Sequence, residues 1–143
     1  MQNQTSLIPK EQLEHRYDGI AKVTGRAKYA AEFTEPFAKN SWYLKVRDRQ
    51  SYAFALVSVA AGLEMDGDTI KSAGLALGGV AHKPWRLFEA EKFMEGKPVS
   101  EDTFKQAAQI AMQGAKAYEY NAFKLKLAPA SIVEALRHAA GIA

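Results

Sequence analysis

Residues 53–77 constrain the fold more than any other part of the chain, because two apolar runs are separated by one strong turn signal. Residues 66–68 read Asp-Gly-Asp, which is typical of a tight turn between strands. Residues 69–77 then return as a second apolar run. The pattern predicts an antiparallel hairpin in which residues 53–65 alternate. The residues on one face of that first strand are Ala53, Ala55, Val57, Val59, Ala61, Leu63 and Met65.

After residue 86 the apolar period changes from that of a strand to that of a helix. Residues 87–95 predict a short helix that Gly96 ends. Ser100 is a favoured N-cap, and Glu101 and Asp102 suit the positive end of the helix dipole, so a second helix is expected from about Thr103. Its apolar face is predicted to contain Phe104, Ala107, Ala108, Ala111 and Ala115.

A last helix is predicted near the C-terminus. Phe123 and Leu127 fit an earlier start, in which case Pro129 either kinks the helix or defines a new beginning. The fold class expected from these elements is α+β, an antiparallel sheet with helices packed on one face. The apolar face of the last helix is formed by Ile132, Val133, Leu136, Ala139 and Ala140.

The parts that flank the hairpin are less regular. Gly78-Gly79 is expected to end or bulge the second strand, and residues 83–86 to form a short extended piece. Residues 1–40 predict an N-terminal arm, with a mobile polar start over residues 1–14 and a turn at Asp18-Gly19. Residues 41–143 are predicted to form the domain, with the boundary near residues 36–40.

Charge and composition narrow the classes of partner. The net charge is +3, with basic and acidic residues interleaved, so nucleic acid is not expected as a partner. The longest nearly apolar run, residues 53–63, is far shorter than the about 20 residues that a membrane span needs. Residues 1–14 contain no apolar stretch, so we expect no signal peptide and a cytoplasmic chain.

The sequence gives little support for a metal site or for a catalytic nucleophile. The chain has no cysteine, which excludes disulfides, thiolate zinc sites and iron–sulfur clusters held by its own thiols. His15, His82 and His138 lack metal-ligand spacing, so no metal is expected in this chain. The glycine-rich residues 74–79 match neither the dinucleotide fingerprint nor the P-loop, which favours a closely packed strand end.

The sequence KVRDR, residues 45–49, places three cations and one acid close together. A solvated strand edge or loop explains this pattern, and a flavin or phosphate contact is the alternative. Trp85, which follows a proline, is expected to be a core or interface aromatic rather than a stacking platform.

Four motifs in order carry a family resemblance over about 100 residues. They are YLKVRDRQSYAFALVSVAAGLE (43–64), IKSAGLALGGVAHKPWRLFEAE (70–91), GKPVSEDTF (96–104) and NAFKLKLAPASIVEAL (121–136). The block that contains them, from about Trp42 to Ile142, resembles the C-terminal domain of the FAD-binding (medium) subunit of molybdenum hydroxylases, the family of carbon monoxide, xanthine and aldehyde dehydrogenases. One departure is LAPAS (127–131), where relatives usually carry a basic pair without proline.

The N-terminal segment RYDGIAKVTGRAKYAAEF (16–33) resembles the beginning of the molybdopterin-binding large subunit of the same enzymes. The chain therefore looks like a fused remnant or fragment of two neighbouring subunits. A natural deletion, a gene-model fusion and an engineered chain fit this pattern equally.

The resemblance implies an oxidoreductase system in which electrons pass from a molybdenum centre through iron–sulfur clusters to FAD. It also implies partner subunits that hold molybdopterin and iron–sulfur clusters, in enzymes some of which are periplasmic. In such flavoproteins a lysine near the start of this domain approaches the isoalloxazine ring, and Lys45 is the matching position. Tyr43 and Arg47 are the weaker candidates for the same ring edge, and a surface role for Lys45 is the alternative.

Two functional hypotheses follow. In the first, the chain belongs to a redox subunit and borders FAD. In the second, it is a non-catalytic interaction or structural module without cofactor, whose apolar surface favours association, including a homo-oligomer. Under either hypothesis the isolated chain is expected to bind FAD weakly or not at all and to lack dehydrogenase activity.

Overall fold

A computed structural model describes residues 37–142, which form a four-stranded antiparallel sheet and three helices. The sheet order is β1-β2-β3-β4, so each strand pairs with its neighbours in the sequence. The expectations for residues 1–36, including the turn at Asp18-Gly19 and the mobile start, lie outside the described residues. The strands are β1 (Ser41–Val46), β2 (Val57–Asp66), β3 (Thr69–Gly78) and β4 (Trp85–Arg86), and the helices are α1 (Phe88–Met94), α2 (Glu101–Ala111) and α3 (Lys124–Ala140).

The predicted hairpin is confirmed. β2 pairs with β3 from Ser58 to Asp66, with a shift in register between Glu64 and Met65. Gly67, with φ of 56°, forms the turn between the strands in a backbone region that glycine enters without a steric penalty. The first strand begins later than predicted, because residues 53–56 belong to the β1–β2 connection. Leu56 donates its backbone N–H to Val46 at 2.8 Å, which closes that connection and leaves Phe54 almost fully exposed.

One side of the sheet carries the core. The alternation of β2 buries Val57, Val59 and Leu63, and the matching residues of β3 are buried beside them. The helices cover this side, which confirms the predicted arrangement of helices on one face of an antiparallel sheet. The largest fully buried side chains are Phe104, Leu63, Ile70, Leu75, Met94, Ile132, Leu136, Val57 and Val59.

The start of α2 is as predicted, but its end is not. The Ser100 hydroxyl accepts the backbone N–H of Thr103 at 3.2 Å and caps the helix. The helix ends at Ala111, and the chain leaves it through Gly114, whose φ is 74°. Ala115 therefore lies beyond α2 and is exposed, so its assignment to the buried face was wrong.

The last helix begins before its proline and continues through it. Pro129 lies inside α3, so it marks no new start. A proline in a helix interior costs about 3 kcal/mol because its nitrogen cannot donate to the carbonyl four residues earlier. Complete burial of Ile132 and Leu136 on the same helix offsets that cost. Gly141, in the left-handed conformation, ends the helix.

Candidate functional site

Among the described residues, the helices cover one side of the sheet, and the opposite side, which we call the free face, carries two of the three residues selected from the sequence. Tyr43 and Lys45 stand two positions apart on β1, so their side chains leave the same face about 7 Å apart along the strand. Their cross-strand partners are Ala60 and Ser58, which alternate along β2 with the core residues Val57, Val59 and Ala61; Ala60 is exposed and Ser58 is buried. Both candidates are therefore directed away from the helices, and Tyr43 is 62% exposed.

The surface beside these two side chains is flat, because the next two strands contribute only small residues to it. Ala60 pairs with Ala76, and Ser58 pairs with Gly78. Small side chains in this floor leave room for a planar group where these strands are not buried, at Ala60 and its half-buried partner Ala76. We define the floor as Ser58, Ala60, Gly62, Gly74, Ala76 and Gly78.

Phe37 covers one end of this floor. A Cβ atom added at Gly62 would lie 2.6 Å from the Cβ of Phe37, and one added at Gly74 would lie 2.8 Å from its Cε2. The phenyl ring therefore occupies the space that side chains at these two positions would fill. The part of the floor next to Tyr43 and Lys45 lies beyond the ring.

Arg47, the third candidate, lies outside the strand. β1 ends at Val46, and Arg47 begins the connection to β2. In that connection Arg49 donates from Nη2 to the carbonyl of Tyr52 at 2.5 Å, and Tyr52 has a φ of 51°. The side chains of Tyr52 and Phe54 are 97% and 98% exposed. The structure thus groups Tyr43 with Lys45, and it places Arg47 with an exposed aromatic loop.

Lys45 is a cation without an internal counter-charge in the described part of the chain. Among residues 37–142, the ion pairs involve Lys71, Arg86, Lys105, Arg137 and His138, and none includes Lys45. Its ammonium group is solvent-exposed and can pair with an anion presented to the free face.

The histidines within the described residues have positions that do not converge. The ring of His138 stacks on Trp42, with 4.5 Å between ring centroids, and its Nε2 lies 3.2 Å from Glu134. His82 is exposed in a loop. Within residues 37–142 there is no group of three metal-ligating side chains.

One buried acidic residue was missed by the sequence analysis. Glu91 on α1 accepts the backbone N–H of Leu75 at 2.8 Å and the Nε–H of Arg86 at 2.9 Å. The carboxylate raises the pKa of the Arg86 guanidinium by this hydrogen bond. Its neighbours Ala90 and Met94 are buried, and an acidic residue beside a buried helical face was the one available signal.

No helix in the part of the chain that the structure describes is long and apolar enough to span a bilayer. The exposure of Trp85 is 52%, and its ring lines a surface groove, so it is not a core residue.

Comparison with known proteins identifies relatives of one kind. A family model described as the CO dehydrogenase flavoprotein C-terminal domain matches residues 42–139. The aldehyde oxidoreductase FAD-binding subunit PaoB of Escherichia coli (strain K12) is 40% identical over 120 residues, which cover 83% of this chain and 34% of PaoB. The glyceraldehyde dehydrogenase medium chain of Sulfolobus acidocaldarius is 40% identical over 60 residues, covering 42% of this chain and 21% of the relative.

Solved structures show the same fold. Quinoline 2-oxidoreductase from Pseudomonas putida 86 matches with a TM-score of 0.65 and 29% identity over 73% of this chain and 38% of the other. Carbon monoxide dehydrogenase from Hydrogenophaga pseudoflava matches with a TM-score of 0.66, and at 24% identity this likeness concerns the fold alone. The chain spans about a third or less of the length of the curated relatives it matches.

The match to the Escherichia coli subunit is longer than the family domain. Residues 42–143 are fewer than the 120 residues matched, so the match includes residues that precede Trp42. Part of the segment assigned from the sequence to a large-subunit arm is therefore aligned with an FAD-binding subunit.

Proposed function

The chain belongs to the family of CO dehydrogenase flavoprotein C-terminal domains, and we propose that it borders the isoalloxazine ring of FAD in a molybdenum hydroxylase-type oxidoreductase. The matched residues correspond to the C-terminal domain of an FAD-binding subunit of that type.

The observation that carries the proposal is that Tyr43 and Lys45, two positions apart on β1, lie side by side on the free face of the sheet. A flavin ring is planar and aromatic, and the floor next to these residues is flat. When FAD is bound there, a cation beside the ring favours the negative charge of the reduced flavin. Lys45 supplies such a cation, and Tyr43 supplies an apolar edge contact.

The same geometry predicts that the described residues cannot hold FAD tightly by themselves. A charged hydrogen bond contributes about 1–3 kcal/mol and an aromatic contact about 0.5–1.5 kcal/mol, which together correspond to millimolar binding or weaker. Residues 74–78 of the glycine-rich segment form the end of β3 and Gly79 follows it, so the segment does not form a phosphate-binding loop at a helix N-terminus. We therefore expect groups outside residues 37–142 to hold the FAD diphosphate.

We also propose a role for partner subunits. Subunits that hold molybdopterin and iron–sulfur clusters would supply electrons, and this domain would complete the flavin environment. Residues 1–40 stay predicted as an arm that resembles the start of a molybdopterin-binding subunit.

A second candidate function rests on the exposed loop between β1 and β2. Tyr52 and Phe54 are almost entirely exposed, and aromatic anchors of this kind are enriched in protein interfaces. A non-catalytic interaction module would use this loop without any cofactor.

A flavin titration separates the two functions. FAD is added to the chain alone and to the chain mixed with the complementary part of the Escherichia coli FAD-binding subunit, and flavin fluorescence is followed. The proposal expects no saturable change at micromolar FAD for the chain alone. It expects a saturable change in the mixture that exceeds the change seen with the complementary part alone.

The matched variants are Lys45→Met and Lys126→Met, since both remove one exposed lysine and only the first alters the free face. A mixture response reduced by Lys45→Met and unchanged by Lys126→Met supports the flavin role. An unchanged response in both variants, or no response in the mixture, contradicts it and favours the interaction module.

A further inference from the structure

A surface groove lies at the opposite end of the domain from the β2–β3 turn. It is formed by the end of β3, the loop after it, the segment that follows α2, and the first turns of α3. Its volume is about 240 Å³. Its lining includes the apolar or charged side chains of Leu77, Val80, Trp85, Lys116, Lys124 and Leu125.

The groove has an apolar floor and a partly exposed apolar rim. Leu77 is buried at its base, whereas Val80, Trp85 and Leu125 are 39%, 52% and 39% exposed. Large apolar side chains that remain half-exposed around a concavity mark an interaction site when they are contiguous. The groove is therefore suited to receive an apolar group from another molecule.

The volume of the groove indicates what kind of molecule would supply this apolar group. Pockets for drug-sized ligands and cofactors hold roughly 300–1,000 Å³ and enclose most of the ligand. This groove is smaller and open to solvent on one side. A concavity of this size fits the apolar anchor residue of a protein segment, the usual occupant of the central pockets of interfaces.

The charged residues that line the groove indicate which residues should flank the apolar side chain of a bound segment. Among the described residues that line it, the charged ones are Lys116 and Lys124, and within residues 37–142 no carboxylate forms an ion pair with either. Lys124 Nζ donates to the carbonyl of Gly79 at 2.5 Å, which fixes its ammonium group at the rim.

The helix dipoles do not change the sign of the electrostatic potential that these two lysines produce in the groove. The end of α2 and the beginning of α3 both line the groove, and their opposite partial charges offset each other. The two ammonium groups therefore dominate the local potential, which is positive.

We propose that this groove docks a segment of another polypeptide in which one large apolar side chain is flanked by Asp or Glu. The apolar side chain enters between Trp85 and Leu125, and the carboxylates pair with Lys116 and Lys124. This docking is independent of flavin, because the groove is formed by the helical end of the domain rather than by the free sheet face.

The test selects binders from a random peptide library on the immobilised chain and measures them with Trp85 as reporter. The chain has two tryptophans, so the Trp42→Phe variant leaves Trp85 alone in the groove. Enriched peptides are expected to share an aromatic or aliphatic residue next to Asp or Glu, and to change Trp85 fluorescence saturably. Binding should weaken about tenfold in Lys116→Glu and remain within twofold in the matched control Lys126→Glu.

Three outcomes would overturn the proposal. One is the absence of any enriched peptide that alters Trp85 fluorescence, and another is enrichment of basic peptides. The third is a free aromatic carboxylate, 2-naphthoate, that saturates the Trp85 signal at micromolar concentration while acidic peptides do not, which would make the groove a small-molecule site. Circular dichroism of each variant confirms that the domain remains folded.

Discussion

The carboxylate of Glu91 accepts the backbone N–H of Leu75 at 2.8 Å, which joins helix α1 to the outer edge of strand β3. β4 is only two residues long and cannot pair with that part of β3. Closer to the turn, Ile70 donates its backbone N–H to Lys97 at 2.9 Å. A glutamate and a loop thus complete the edge that a longer strand would otherwise cover.

Replacing Glu91 tests this account of the β3 edge. We expect Glu91→Ala to lower the free energy of unfolding by about 2–4 kcal/mol, because it leaves a buried N–H without an acceptor and removes a charged hydrogen bond. Glu91→Gln should cost less, because its amide oxygen can still accept from Leu75 and Arg86 is largely exposed. Urea unfolding provides the measurement.

The matched control for that series is Glu89→Ala, because Glu89 lies on the same helix and is exposed. It should stay within about 0.5 kcal/mol of the parent. Equal losses in Glu91→Ala and Glu89→Ala would show that the buried hydrogen bond adds nothing.

The contact between Phe37 and the glycine pair gives a second prediction. Gly62→Ala should destabilise the domain by about 1–3 kcal/mol, because the new methyl group would meet the Cβ of Phe37. Gly74→Ala should cost less, since its methyl group meets only the tip of the ring, which can move. Thermal unfolding of both variants compares the two costs.

A double-mutant cycle assigns the cause of that loss. In the background of Phe37→Gly, which removes the Cβ together with the ring, the cost of Gly62→Ala should fall sharply, because the Phe37 atoms that the new methyl group meets are then absent. A cost that stays the same in both backgrounds would mean that Phe37 does not rest on the floor in solution.

The pairing between Glu64 and Lys71 predicts a pH dependence. Lys71 lies 2.6 Å from the carboxylate and, together with the Ser72 hydroxyl, lowers the pKa of Glu64 below its ordinary value near 4.5. A lowered folded-state pKa stabilises the fold fully above the unfolded-state value, and the contribution is lost as pH falls through the folded-state pKa. The difference in unfolding free energy between the parent and Glu64→Gln should therefore be larger at pH 7 than at pH 3.

Two comparisons check that interpretation. In the background of Lys71→Met, most of the pH dependence of the difference should disappear. High salt should also reduce it, because the pair is exposed and therefore screened. A difference that is the same at both pH values would contradict the assigned role of the pair.

The sequence predicted the parts of the fold that local signals determine. The Asp-Gly-Asp turn, the alternation of β2 and the Ser100 cap each involve residues close in the chain, and all three are confirmed. The start of β2 was placed too early, because Ala53 and Ala55 continue the alternation into a loop. Ala115 was misplaced because alanine keeps a helical period after the helix itself has ended.

The candidate site could be predicted only in part, because its geometry depends on contacts between residues that are far apart in the sequence. The spacing of Tyr43 and Lys45 places both on one face of a strand, but the floor beside them depends on pairing across three strands. Glu91 and Leu75 are 16 residues apart, and no local pattern links a helical glutamate to the N–H of a strand residue.

The central claim is that Lys45 borders the flavin ring, and the flavin reduction potential tests it most directly. The measurement uses the chain assembled with the complementary part of the Escherichia coli FAD-binding subunit, with Lys126→Met as the control. The account predicts that Lys45→Met lowers the midpoint potential by about 30 mV, or about 1.4 kcal/mol for a two-electron couple, and that the control leaves it unchanged. An unchanged potential in Lys45→Met, or an equal shift in the control, would contradict the claim.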